Sequence, residues 1–156
     1  LFTDEPETLA LVEAIAGRTY EFSQFLVDVL GVEDVGATYH GSVVYHDSCH
    51  LLRGLGVADQ PRRLLRHIAG LEERPLAEHD VCCGFGGVFS IKMPELSSAL
   101  LERKIKNVVA SGADAIVAAD TGCLMQIGGG LRKQHLRTKV FHLAQLLANQ
   151  PADLFP

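Results

Sequence analysis

Asp114-Ala115-Ile116-Val117-Ala118-Ala119-Asp120-Thr121-Gly122-Cys123 runs from a strand that is apolar on both faces into the start of a helix. A run with no polar side must be covered from both sides, the situation of a central strand in a parallel sheet. Thr121 is read as the N-cap of the helix, and Cys123 falls in its first turn. Upstream, Pro94 opens a helix whose Leu96, Leu100, Leu101, Ile105, Val108 and Val109 share one face, and Gly112 ends it.

The alternation of strand and helix extends outward in both directions. Toward the N-terminus, Ser42-Val43-Val44-Tyr45-His46 is a β-rich run, followed by Asp47 and Ser48 as capping residues and an apolar helical stretch. A helix from about Gln60 to Ala69 leads past Gly70 to a weaker strand, Leu76–Val81. Toward the C-terminus, a strand at Lys139–Phe141 precedes a helix at His142–Ala148. Two acidic helices, Glu7–Ala16 and Glu21–Leu30, come first, with apolar faces Leu11, Ala14, Ile15 and Phe22, Phe25, Leu26, Val29, and with Gly17 and Gly31 as stops. The expected fold is α/β: a small, mostly parallel four-stranded sheet in the order 2-1-3-4, with helices on both faces, preceded by two N-terminal helices.

At 156 residues and 47% hydrophobic, the chain suits one domain spanning 1–156, large enough to form a core without covalent staples. The longest apolar run, Ala115 to Ala119, is far short of the ~20 residues of a membrane span, so a membrane-embedded role is not expected. The net charge is -5 and uneven: residues 1–40 carry eight carboxylates and one base, residues 101–156 seven bases and four carboxylates. Those bases (Arg103, Lys104, Lys106, Arg132, Lys133, Arg137 and Lys139) have no interleaved aromatics, so solvated faces account for most of them and nucleic acid is not an expected partner. No basic segment precedes an apolar stretch at the start, so a cytoplasmic, reducing compartment is expected, and the chain reads as a fragment of a longer protein. There, clustered cysteines serve as metal ligands or reactive thiols more often than as disulfides.

Parallel strands place the loops that leave their C-terminal ends along one sheet edge, where open α/β folds bind ligands. Cys49 follows the first strand, Cys82 and Cys83 the second, and Cys123 the third. Separated by 32 and 39 residues, they are expected to converge. Soft thiolates from three loops suit an iron-sulfur cluster or zinc. Helix N-termini beside Cys49 and Cys123 favour thiolate, and Gly84, Gly86, Gly87 and Gly122 let backbone N–H groups approach a cluster. His46 and His50, which flank Cys49, and His142, at the exit of the fourth strand, are candidate additional ligands; His40, His67, His79 and His135 read as surface residues. Asp47 and Asp120 have capping or strand-end readings that suffice without catalysis. Phe89 stands where a dinucleotide fingerprint needs its third glycine, so no nucleotide site is read there. Gly128 to Gly130 interrupt a helix and imply close packing against another element or domain.

These residues carry a family resemblance. Cys49, Cys82-Cys83-Gly84 and Cys123 resemble the cysteine-rich CCG domain found in heterodisulfide reductase and in the iron-sulfur component of glycolate oxidase. His46-Asp47-Ser48-Cys49-His50, Cys82-Cys83-Gly84-Phe85-Gly86-Gly87 and Asp120-Thr121-Gly122-Cys123-Leu124-Met125 are most similar to the lactate-utilisation branch, over nearly the whole chain. The resemblance implies an oxidoreductase component that passes electrons through an iron-sulfur centre, 4Fe-4S in type, during oxidation of L-lactate or another 2-hydroxy acid. It implies Cys49, Cys82, Cys83 and Cys123 as cluster ligands. It also implies a first CCG domain elsewhere in a two-domain parent and further subunits as partners. In the fuller family motif the last cysteine belongs to Cys-x-x-Cys, whereas Gln126 stands at that position here. The alternatives are a zinc-stabilised structural or interaction domain, a glycolate oxidase-type iron-sulfur component, and a thiol enzyme with one activated cysteine.

Overall fold

The computed structural model describes residues 1–150. Four parallel strands form one sheet: β1 (Thr38–Tyr45), β2 (Ala69–Glu73), β3 (Ala115–Ala118) and β4 (Lys139–His142), in the order β2-β1-β3-β4. The expected topology holds. β1 and β3 are central, with Val43 opposite Ala115 and Tyr45 opposite Val117, and both are buried where they pair.

Side chains of a strand alternate between faces, and the core divides accordingly. Val43, Tyr45, Ala115 and Val117 point to one face, where Leu64 and Leu65 of α3 (Gln60–Arg66) and Leu143, Leu146 and Leu147 of α7 (Leu143–Leu147) cover them. Val44 and Ile116 point to the other, against Ile105 and Val108 of α5 (Pro94–Ser111), which follows the short α4 (Val88–Lys92), and Ile127 and Leu131 of α6 (Thr121–Lys133). Each fully buried valine, leucine or isoleucine contributes about 1.5–3 kcal/mol relative to exposure. Among the described residues no helix is long and apolar enough to cross a membrane.

The second strand lies earlier than the sequence suggests. Leu76–Val81 is irregular, and β2 is Ala69–Glu73, which the sequence reads as a helix end and turn. β2 is an edge strand with only Leu71 partly covered, so it carries no alternating apolar signal; its order comes from pairing with β1. Leu76 is nonetheless buried in the core of the α5/α6 face.

The lead-in helices also depart from the reading. α1 (Pro6–Ala16) buries none of its residues, and Leu11 and Ile15 are 66% and 61% exposed. α2 (Phe22–Gln24) continues as a π-helical turn, Phe25–Val29. The wider turn brings Val27 into the core and leaves Phe22, Phe25 and Val29 exposed.

The glycine run packs within the chain. A Cβ at Gly130 would lie 2.5 Å from Ile105 Cδ1 and 3.0 Å from Leu101 Cδ2, so this glycine is what lets α6 approach α5; one at Gly129 would meet nothing within 4 Å. Gly129→Ala should therefore raise stability by roughly 0.5–1 kcal/mol in urea unfolding, the helix-propensity difference alone. Gly130→Ala should give no such gain, because an overpacking cost of about 1–3 kcal/mol opposes it.

Candidate metal centre

Cys49, Cys82, Cys83 and Cys123 line one cavity of about 480 Å³ at the C-terminal edge of the sheet, together with His50, Phe85, Gly86, Gly87, Asp120 and Gly122. Cys49 sits at the start of a π-helical turn, His50–Leu55, that follows β1. Cys123 is in the first turn of α6, whose N-cap is Asp120 rather than Thr121: the Asp120 carboxylate accepts from the Cys123 N–H at 2.9 Å.

Cys82 and Cys83 are placed by a segment without regular structure, so something other than a ladder must hold it. Helix α5 does. Asn107 donates to Ala77 O (3.0 Å) and to the Glu78 carboxylate (2.9 Å), Arg103 pairs with that carboxylate, and Lys104 Nζ donates to Glu78 O. Lys104 is 1% exposed. Its reading as a solvated base is therefore wrong: two main-chain carbonyls, not water, satisfy its ammonium group. Burial pushes its pKa down, while the nearby Cys83 and acidic groups pull it up.

The other side of the segment is held by Asp47. Its buried carboxylate takes two hydrogen bonds from Arg62, both 2.7 Å, and one from His79 Nδ1 at 2.5 Å, while Arg62 also lies over the Tyr45 ring. His79, half-exposed, is thus a strut between Asp47 and the cysteine segment rather than a free surface residue. Burial pushes the Asp47 carboxyl up, but Arg62 and then His79 outweigh it and hold it below the usual range. A depressed carboxyl stabilises the fold above its unfolded pKa of about 3.9, and this contribution disappears as pH falls through the lower folded value. Arg62→Met should cost about 1–3 kcal/mol in urea unfolding, because it leaves the buried carboxylate with His79 as its remaining side-chain donor, and Asp47→Asn on that background should recover part of the loss.

The glycines are steric requirements here. Gly84 has φ +90°, and a Cβ there would lie 2.4 Å from Ser97 O, inside any allowed contact; Ser97 Oγ in turn donates to Gly84 O at 2.7 Å. A Cβ at Gly122 would lie 2.8 Å from the Phe85 ring. A backbone N–H does reach sulfur: Gly84 N donates to Cys82 Sγ at 3.3 Å.

All four thiols are free. Cys83 and Cys123 are buried, with sulfurs 3.2 Å apart, too far for a disulfide bond and close enough to share a proton. The hydrogen bond from Cys123 draws the Cys83 thiol down to about 5 against its burial. Cys123 is pushed up by the same bond, by burial and by the charge beside it. The two sulfurs share one proton and titrate as a pair. Burial likewise raises Cys82.

The three candidate histidines separate. His46 is fully buried, its Nδ1 hydrogen-bonded to His79 O at 3.0 Å, and it groups with Cys83 and Cys123 with all three ligand atoms within 4.8 Å of one another, a set able to hold a metal ion. His50 lines the cavity mouth and is exposed. His142 does not reach the cavity: its Nδ1 accepts from the Ala144 N–H as the N-cap of α7. Gln126 is absent from the lining as well; it donates to Ser97 Oγ at 3.2 Å, which ties α6 to the Gly84 turn. The sequence gives no signal for Lys104, His79 or Ser97, because their roles depend on carbonyls and side chains far away in the chain.

Residues 43–128 match the family model described as CCG, a cysteine-rich domain. The chain is 48% identical over 147 residues to lactate utilization protein A of Shouchella clausii and of Geobacillus kaustophilus, and 45% identical to that of Bacillus subtilis. Each match covers 94% of this chain and 62% of the relative, so the chain spans about three-fifths of the length of these proteins.

Proposed function

This chain belongs to the CCG cysteine-rich domain family, and on that premise we propose that it is the cluster-binding, electron-transfer unit of a longer lactate-utilisation protein. The observation that carries the reading is the meeting of four thiols from three loops in one glycine-lined cavity. The residues fit such a group on three counts. Buried sulfurs already share a proton that a metal would displace, Gly86, Gly87 and Gly122 line the cavity without side chains, and the Gly84 main-chain N–H points at the Cys82 sulfur. Cys49, Cys82, Cys83 and Cys123 would hold an iron-sulfur cluster of 4Fe-4S type, which supplies a one-electron relay when bound. Around it, the chain's own residues keep the ligands in place: Asp120 fixes Cys123, and Lys104, Asn107 and the Asp47–His79 pair fix the segment carrying Cys82 and Cys83.

The sequence between residues 1 and 156 supplies no glycine fingerprint for a flavin or nicotinamide, so hydride removal from a 2-hydroxy acid belongs to other parts of the assembly. The partners in this reading are a first CCG unit in the same parent chain and further subunits of a lactate or glycolate oxidation complex, in the cytoplasm. The isolated chain, reconstituted anaerobically with iron and sulfide, should be bleached by dithionite and recolour on reoxidation, yet give no lactate-dependent dye reduction. Lactate turnover by the 156-residue chain alone would contradict the assignment. A second reading, zinc held structurally, has the compact His46, Cys83, Cys123 group in its favour and predicts a colourless protein.

A further inference from the structure

His46 is the one residue of the site whose chemistry is left open. It is fully buried at the end of β1, and its Nδ1 lies 3.0 Å from the main-chain oxygen of His79. A carbonyl oxygen only accepts, so Nδ1 carries the hydrogen and donates it. In the neutral ring this leaves Nε2 with a bare lone pair. Among the described residues, Nε2 is the buried side-chain nitrogen or oxygen atom without a hydrogen-bond partner.

A buried acceptor left unmet is costly, and native structures rarely keep one without a reason. Here the imidazole sits beside two sulfurs: a ring nitrogen of His46, Cys83 Sγ and Cys123 Sγ all lie within 4.8 Å of one another, and Nε2 is the nitrogen not already taken by a hydrogen bond. The nearby cation is committed elsewhere, since Lys104 Nζ donates to the oxygens of Glu78 and His79. The same His79 oxygen also accepts the Asp47 N–H at 3.1 Å, so the acceptor that fixes the imidazole tautomer is itself fixed. An imidazole that gives its far N–H to a main-chain carbonyl while its near nitrogen faces open donors is arranged as metal-bound histidines are.

We infer that His46, through Nε2, is a direct ligand of the centre alongside Cys83 and Cys123, making the site a mixed imidazole–thiolate centre. The inference rests on the cluster-binding reading and deepens it. A neutral imidazole beside the four thiolates, where a further cysteine would add another negative charge, leaves the bound group less negative, and iron-sulfur centres with histidine ligands have higher potentials than all-cysteine ones. His46→Cys should therefore bind the same group at a lower midpoint potential.

The test is made on the 156-residue chain, loaded anaerobically with iron and sulfide and, in a separate arm, with Co2+ as a paramagnetic probe. Pulsed EPR is expected to show a histidine nitrogen coupled to the metal, to change when the histidines carry 15N, and to lose the coupling in His46→Ala. The labelled wild-type protein gives the answer even if His46→Ala misfolds. Metal bound in cysteine-dependent fashion without nitrogen coupling, or coupling that persists in a folded His46→Ala, overturns the ligand assignment and leaves the cluster reading standing. Failure of the wild type to bind iron or cobalt at all overturns both.

Discussion

Cys83→Ser is expected to abolish the metal centre while leaving the chain folded. Cys83 is the most enclosed of the four thiols, it shares a proton with Cys123, and its sulfur is in the group with His46. Serine keeps the size and a polar tip, so secondary structure and urea midpoint should move little. The hydroxyl, however, is a poor ligand at neutral pH compared with a thiol drawn down to about 5. Disturbing groups that merely support a ligand costs about 10–100-fold in metal affinity, so loss of this ligand should exceed that range. Iron and sulfide per chain after reconstitution, followed by visible absorption, measures it. Cys49→Ser, at a partly buried position, should cost less. Full metal content in Cys83→Ser would mean that this sulfur is only a packed core atom.

Gly84→Ala should have the largest effect on the fold around the site. The backbone there sits at φ +90°, which alanine adopts at a cost of about 1–2 kcal/mol, and the added methyl would lie 2.4 Å from the Ser97 carbonyl oxygen. That contact is with helix backbone, which cannot rotate away, so overpacking adds about 1–3 kcal/mol. Relief requires the Cys82–Gly84 turn to lift off α5, breaking the Ser97–Gly84 hydrogen bond and moving two of the four thiols. A loss of about 3 kcal/mol in urea unfolding, with reduced metal content even in protein that remains folded, is the expected outcome. Gly87→Ala is a useful contrast: it shares a positive φ, +53°, but its Cβ would meet nothing within 4 Å, so only the backbone penalty applies.

How much of this was legible in the sequence depends on whether the signal is local. The apolar run Ala115–Ala119, Pro94 and Gly112 identify β3 and α5 because burial on both faces and helix ends leave marks in the chain itself. The sheet order follows, and with it the gathering of the cysteines at one edge. β2 is not legible, since an exposed edge strand around Gly70 is ordered by its partner and not by its own residues. The same limit applies to the site. The cysteines announce themselves by type and spacing, whereas Lys104 reads as any basic residue on a helix until the carbonyls of Glu78 and His79 are found beside it. His142, promising at a strand end, is consumed by capping α7.

The central claim is that these three loops hold a metal centre through their cysteines, and elemental analysis of the chain purified under strict anaerobiosis tests it most directly. Iron with acid-labile sulfide, accompanied by a brown colour and by protection of Cys49, Cys82, Cys83 and Cys123 from alkylation, is the predicted result. Four rapidly alkylated thiols in a chain that takes up neither iron with sulfide nor zinc on reconstitution would contradict it.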